Sequence, residues 1–210
     1  MKLIAAGKAL NVPLMAGNTA DEFLNSIQAK DEAELKEKAS SFFGDKAEEF
    51  LSFAESKKTM EWMGNTSYAP VSGIECSVKS LFLDRQESGS SKDCYYYRFD
   101  ADIPGPDAPG TFHSVDLWFW FETLAKCWRP FTGKHYDVAR QMCNYMTNFI
   151  KTGNPNGMDV DGTPLPEWTA YTKEHNSGIV FGKENCYGEE NSDSAFVDFL
   201  VEEIREQLKK

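Results

Sequence analysis

His113 is the residue around which chemistry can be built. It lies in Gly110-Thr111-Phe112-His113-Ser114-Val115-Asp116, at the far end of the loop Pro104-Gly105-Pro106-Asp107-Ala108-Pro109-Gly110. Before that loop comes Cys94-Tyr95-Tyr96-Tyr97-Arg98-Phe99-Asp100, dense in aromatics and alternating toward its end, which predicts a strand. Proline and glycine forbid regular structure in the loop. An imidazole delivered from the end of a strand can take up and return a proton near neutrality, the work of a general base in a serine hydrolase. The partner of such a base is absent, since no Gly-x-Ser-x-Gly nucleophile elbow occurs in the sequence. Ser114 follows the histidine but has no elbow around it and is rejected as nucleophile.

The remaining titratable groups point to structure. His135 and His175 match no motif and read as structural or surface residues. The three histidines are far apart, there is no His-Glu-x-x-His, and Cys76, Cys94, Cys127, Cys143 and Cys186 form no Cys-x-x-Cys pair. No zinc ligand set and no cofactor are expected, and an odd number of widely spaced cysteines points to reduced, mostly buried thiols. Asp116 is expected either to support the residues around His113 or to scaffold the start of a helix, where an acid suits the helix dipole. Of the aromatics Trp118 to Phe121 most are expected in the core, because four in a row on a helix face all ways round.

The elements that must position His113 alternate along the chain. Val12-Pro13-Leu14-Met15-Ala16-Gly17 reads as a short strand buried on both faces. Thr19 with Glu22 has capping-box spacing, predicting a helix with Phe23, Leu24 and Ile27 as its stripe. Two surface helices are expected between Asp31 and Lys58, and the helical pattern continues through Met60 to Met63 and through Ile74, Val78, Leu81 and Phe82. Glu87 to Lys92 is a polar turn. A helix from Tyr136 to Ile150 ends at Gly153-Asn154-Pro155-Asn156-Gly157. Gly178 to Gly182 reads as a buried strand and Phe196 to Leu208 as a closing helix. Strands joined by helical crossovers imply an α/β fold with a parallel sheet. Without internal repeats or low-complexity boundaries, residues 1–210 are expected to form one domain.

The 210 residues carry a formal charge of −11 with 41% apolar residues. That composition suits a globular domain, and the acidic balance argues against nucleic acid as a partner, since no Lys/Arg cluster is there to displace counterions. No membrane span and no signal segment are expected. The cytoplasm is slightly favoured on these grounds, with secretion left open if the front of the sequence is missing.

Several segments together resemble the C-terminal part of the type-B carboxylesterases, the α/β-hydrolases that include para-nitrobenzyl esterases, animal carboxylesterases and cholinesterases. Val12 to Glu22 resembles that family's strand and acid-bearing turn, Tyr95 to Phe99 the next strand, and Gly110 to Asp116 its histidine loop. Trp128-Arg129-Pro130-Phe131, the stretch Asn148 to Gly157 and Leu165-Pro166-Glu167-Trp168 resemble its C-terminal signature. In sequence order they are strongly specific and run over nearly the whole chain.

The resemblance implies the C-terminal portion of an α/β-hydrolase fold, about three sheet strands with flanking helices, lacking the upstream nucleophile-elbow half. It implies a Ser-Glu-His mechanism on a small carboxylic ester. Glu22 would orient the imidazole of His113, and His113 would move the proton of a serine supplied by an upstream N-terminal half. The order acid, then histidine, agrees with the order of the triad in α/β-hydrolases. Phe23 departs from the family, which most often has glycine there. A chain with both residues but no serine in a nucleophile elbow is expected to be inactive alone, and its first strand to present an open edge. The alternative is a non-catalytic, cholinesterase-like interaction module, which has no chemical need of either residue. If Glu22 instead completes a capping box with Thr19, its carboxylate is less free to hold the imidazole.

Overall fold

The computed structural model describes residues 11–54, 58–62, 65–190 and 194–209. Its main sheet has the order β1-β5-β6-β7, formed by Leu14–Thr19, Cys94–Phe99, Gly178–Phe181 and Cys186–Glu189. The pairs β1–β5 and β5–β6 are parallel, while β7 returns antiparallel to β6. These are the three expected strands with β7 added. Cys186-Tyr187-Gly188-Glu189 escaped the sequence reading because it is short and only Cys186 is buried.

β1 presents the open edge that the resemblance implies, but it is less covered on its faces than its apolar run suggested. It has one neighbouring strand among the described residues, and its first four residues are only half-buried, so it is not the strand buried on both faces that was expected. Gly17 sits opposite Tyr97, where a Cβ would come within 2.0 Å of the Tyr97 carbonyl oxygen. The close approach of β1 to β5 therefore requires glycine at this position.

A second, antiparallel sheet in the order β2-β4-β3 joins Leu24–Ala29, Asn65–Ser72 and Lys58–Trp62. This sheet overturns two helix expectations. Leu24 to Ile27 pairs with β4 across a register shift between Asn25 and Ile27. Phe23, Leu24 and Ile27 fit a helical stripe over too few residues to decide the period, and Asn25 and Ser26 are weak helix formers that yield to a paired partner. The stretch from Met60 to Trp62 belongs to β3, while Met63 lies outside the described residues.

The helices fall as expected. They are α1 (Glu32–Phe43), α2 (Ala47–Ala54), α3 (Gly73–Glu87), the single turn α4 (Leu117–Trp120), α5 (Gly133–Thr152) and α6 (Ala195–Lys209). Asp31 caps α1 by accepting from the Glu34 amide at 2.9 Å. Gly153 ends α5 at φ 78°, the left-handed conformation that stops a helix. Phe43, Phe50 and Phe199 bring α1, α2 and α6 together in an aromatic cluster beside the second sheet.

The larger core lies between the main sheet and α4–α5 and is built round Trp168, which is fully buried. Tyr95, Tyr97, Tyr145 and Phe181 meet its indole edge-on at 5.5 to 6.4 Å. Asn156 holds the Trp168 backbone at both ends, accepting from its N–H at 2.7 Å and donating to its carbonyl at 2.9 Å. The Asn154-Pro155-Asn156-Gly157 stretch thus works at a distance, seating Trp168 under β5.

Candidate active site

Two loops meet at the end of the main sheet. The turn after β1 prolongs the ladder, with the Ala20 N–H donating to Phe99 at 2.9 Å and that of Asp21 to Thr111 at 3.2 Å. One Asp21 carboxylate oxygen then accepts from the Thr111 N–H at 2.8 Å and its hydroxyl at 3.0 Å. Gly110, at φ 63°, leaves room for that carboxylate, since a Cβ there would lie 2.6 Å from it. Asp21 therefore ties the acid turn to the histidine loop. Sequence reasoning passed over it because its partner lies far along the chain.

The far side of the histidine loop is held by Arg129. Its guanidinium donates twice to Asp107 at 2.9 Å and once to the Pro104 carbonyl at 3.0 Å. This planar fork meets the carboxylate with two parallel N–H···O bonds. The hydrogen bond from Arg129 holds Asp107 below the usual carboxylate range. The Trp128-Arg129-Pro130-Phe131 motif thus acts as the anchor of the loop.

Glu22 and His113 are brought together at this junction. Glu22 Oε2 lies 2.5 Å from His113 Nδ1, and Oε1 accepts from the Thr19 N–H at 2.8 Å. The expected conflict between capping and holding the imidazole does not arise, because the two oxygens divide the work and no helix begins at Thr19. The glutamate is 6% exposed while the histidine side chain is 56% exposed. A carboxylate can only accept, so it fixes the proton on Nδ1 and leaves Nε2 as the basic nitrogen.

Both residues that follow the pair have left-handed backbones, Phe23 at φ 42° and Ser114 at φ 68°. For residues with a Cβ this costs about 1–2 kcal/mol each, and such strain gathers at functional sites. The Phe23 ring lies 4.4 Å from the imidazole, centroid to centroid, with the two planes tilted by 48°. Its other side helps to line an apolar groove of about 520 Å³ with Ile74, Val78 and Leu81 of α3.

Of the two roles expected for Asp116, the structure shows support through side-chain contacts rather than through a helix cap. Asp116 stands before α4 without making a capping bond, and its carboxylate accepts from the Tyr97 hydroxyl at 3.0 Å and the Trp120 indole N–H at 3.3 Å. Burial raises its pKa, opposed by these two donors and reinforced by the charge of Glu22. A raised carboxyl pKa means that the folded state holds its proton more tightly than the unfolded chain. The resulting stabilisation is full below the unfolded value of about 3.9 and is lost as pH rises through the folded one. The advantage of wild type over Asp116→Asn in urea unfolding should therefore shrink as pH rises across that window. A gap that is constant or widens with pH would contradict the assignment.

The other histidines are kept apart from this junction. His135 is buried, its Nδ1 accepting from the Thr132 N–H at 2.9 Å while Nε2 donates to the Asp102 carbonyl at 2.8 Å. His175 is exposed. Among the described residues no group of three His, Cys, Asp or Glu side chains could hold a metal ion, and no helix is long and apolar enough to cross a membrane. Phe119 and Trp120 of α4 are core, while Phe121, directly after it, is exposed.

A family model described as the carboxylesterase family matches residues 1–200. The chain belongs to the carboxylesterase family. Solved structures agree in fold. A PNB esterase superposes with a TM-score of 0.62 at 21% identity, covering 95% of this chain and 40% of the other. A thermophilic PNB esterase gives 0.60 at 19%, covering 99% and 40%. An esterase from the anaerobe Clostridium hathewayi, described as able to hydrolyse aliphatic aromatic polyesters, gives 0.52 at 20%, covering 92% and 37%. This carboxylesterase-family chain has the α/β-hydrolase fold and spans about 40% of the length of the PNB esterases it matches.

Proposed function

We propose that this chain supplies the acid and the histidine of a carboxylic ester hydrolase, while the nucleophilic serine and the oxyanion donors come from a preceding N-terminal half. The observation that carries the reading is the 2.5 Å contact between Glu22 Oε2 and His113 Nδ1, with the imidazole half exposed. Glu22 holds the tautomer in which Nε2 accepts the serine proton as the hydroxyl attacks the ester carbonyl. It then stabilises the imidazolium until the proton passes to the departing alcohol. A water activated at the same nitrogen releases the acid. The apolar groove beside Phe23 suits the hydrocarbon part of a small ester, and the edge of β1 gives the preceding half a strand to pair with.

The 210 residues contain no Gly-x-Ser-x-Gly, so the chain alone should cleave p-nitrophenyl acetate no faster than its His113→Ala variant. Produced together with the coding sequence that precedes it, it should gain serine-dependent turnover. Activity of the chain by itself that survives purification and vanishes in His113→Ala would overturn the division of the triad.

A further inference from the structure

Phe23 is difficult to account for by folding alone. Its backbone lies at φ 42°, where glycine would meet the conformational demand without steric cost. Its side chain is 59% exposed, so core burial does not offset the strain. What the ring does contact is the imidazole of His113, at 4.4 Å and a tilt of 48°. Among the described residues it is the aromatic partner that His113 has.

The imidazole needs such a partner. Its bond to Glu22 fixes one nitrogen, but rotation of a histidine ring about its second side-chain torsion is broad and the side chain is half open to solvent. A hydrogen bond at Nδ1 restrains the distance without fixing the ring plane. A ring packed against it at 4.4 Å, tilted by 48°, supplies that missing restraint. Phe23 is itself well anchored, since its carbonyl accepts from the Gly73 N–H at the start of α3 and the next residue, Leu24, pairs with Ser72 in the second sheet.

We propose that Phe23 is a positioning residue that clamps the His113 ring, keeping Nδ1 on Glu22 and Nε2 as the basic nitrogen. The proposal rests on the reading of His113 as the base of the esterase. Its consequence for the ring can nevertheless be measured without any ester being cleaved. The second sheet and α3, which anchor Phe23, thereby become part of what holds the base.

The test is the tautomer of His113, read from long-range proton–nitrogen correlations of the imidazoles in the 210-residue chain, at a pH where the rings are neutral. Signals of His113 are assigned by their loss in His113→Gln. The wild type should show Nδ1 protonated as the dominant form, with the Hε1 proton displaced by the ring current of Phe23. In Phe23→Gly and Phe23→Leu the displacement should vanish and the Nε2-protonated form should become a major species. Phe23→Tyr should behave as the wild type. Unfolding in urea supplies the control, because glycine should leave stability equal or higher while the ring loses its order.

If both Phe23→Gly and Phe23→Leu keep the wild-type tautomer, the ring merely fills space and the proposal is wrong. Should glycine prevent folding, leucine alone decides, being apolar and without a ring. A wild-type tautomer sensitive to Phe23, in a chain whose completed enzyme tolerates His113→Ala, would uphold the clamp and refute the catalytic reading. The two failures are thus distinguishable.

Discussion

In the enzyme completed by a nucleophile-bearing half, His113→Ala is expected to lower kcat for p-nitrophenyl esters by on the order of 10⁶, and Glu22→Ala by on the order of 10⁴, with KM little changed. The asymmetry follows from what each group does. Without the imidazole nothing takes the serine proton, whereas without Glu22 the imidazole remains but loses its tautomer and the stabilisation of its charged form. Because Glu22 Oε1 also accepts from the Thr19 N–H, Glu22→Gln is the cleaner variant. An amide keeps the shape of the turn and presents an oxygen or an N–H to Nδ1 according to its orientation. Its loss should lie between wild type and Glu22→Ala. The double variant should be little worse than His113→Ala, since the two residues act as one unit. Steady-state kinetics on wild type and the four variants decides the matter. Multiplicative losses in the double variant would mean that Glu22 and His113 act independently, against the proposed relay.

The second large effect concerns stability. Trp168→Ala should cost about 3–5 kcal/mol, the range for emptying a large aromatic site in a core, which corresponds to a fall in melting temperature of roughly 6–20 °C for a chain of this size. The indole is fully buried and four aromatic rings pack against its edges. Among the described residues its N–H meets no acceptor. Trp168→Phe therefore forfeits packing volume but no hydrogen bond, and its cost should be well under half that of alanine. Chemical and thermal unfolding of both variants provides the comparison, and equal losses for Phe and Ala would place the importance of Trp168 in its indole N–H instead. Tyr97, one of the rings on Trp168, also donates to Asp116 beside the candidate site. Emptying the core should therefore disturb the histidine loop as well.

Much of the site was legible along the chain because its parts are local. The proline and glycine of residues 104–110 announce a loop whatever surrounds them, and the aromatic alternation of Cys94 to Phe99 announces the strand before it. The stripe from Tyr136 to Ile150 is long enough to fix its period, and α5 follows it. Leu24 to Ile27 and Met60 to Trp62 were misread as helical for the opposite reason. In short segments the period is ambiguous, and pairing with β4 supplies backbone partners that no local pattern reveals.

By itself the sequence singled out His113 from its loop after a strand, and the family resemblance added Glu22 as its candidate acid, because both rest on short stretches of residues. Only the tertiary structure decided how they are used. It gave the two oxygens of Glu22 separate partners, chose Glu22 over the adjacent Asp21 to face the imidazole, and gave Asp21 to Thr111. It also laid Phe23 against His113. Apart from the local bond between Thr19 and Glu22, each of these is a contact between segments far apart in the chain, set by the register of β1 on β5 and the anchoring of the histidine loop by Arg129. Spacing along a sequence carries no information about such distances until the sheet has formed.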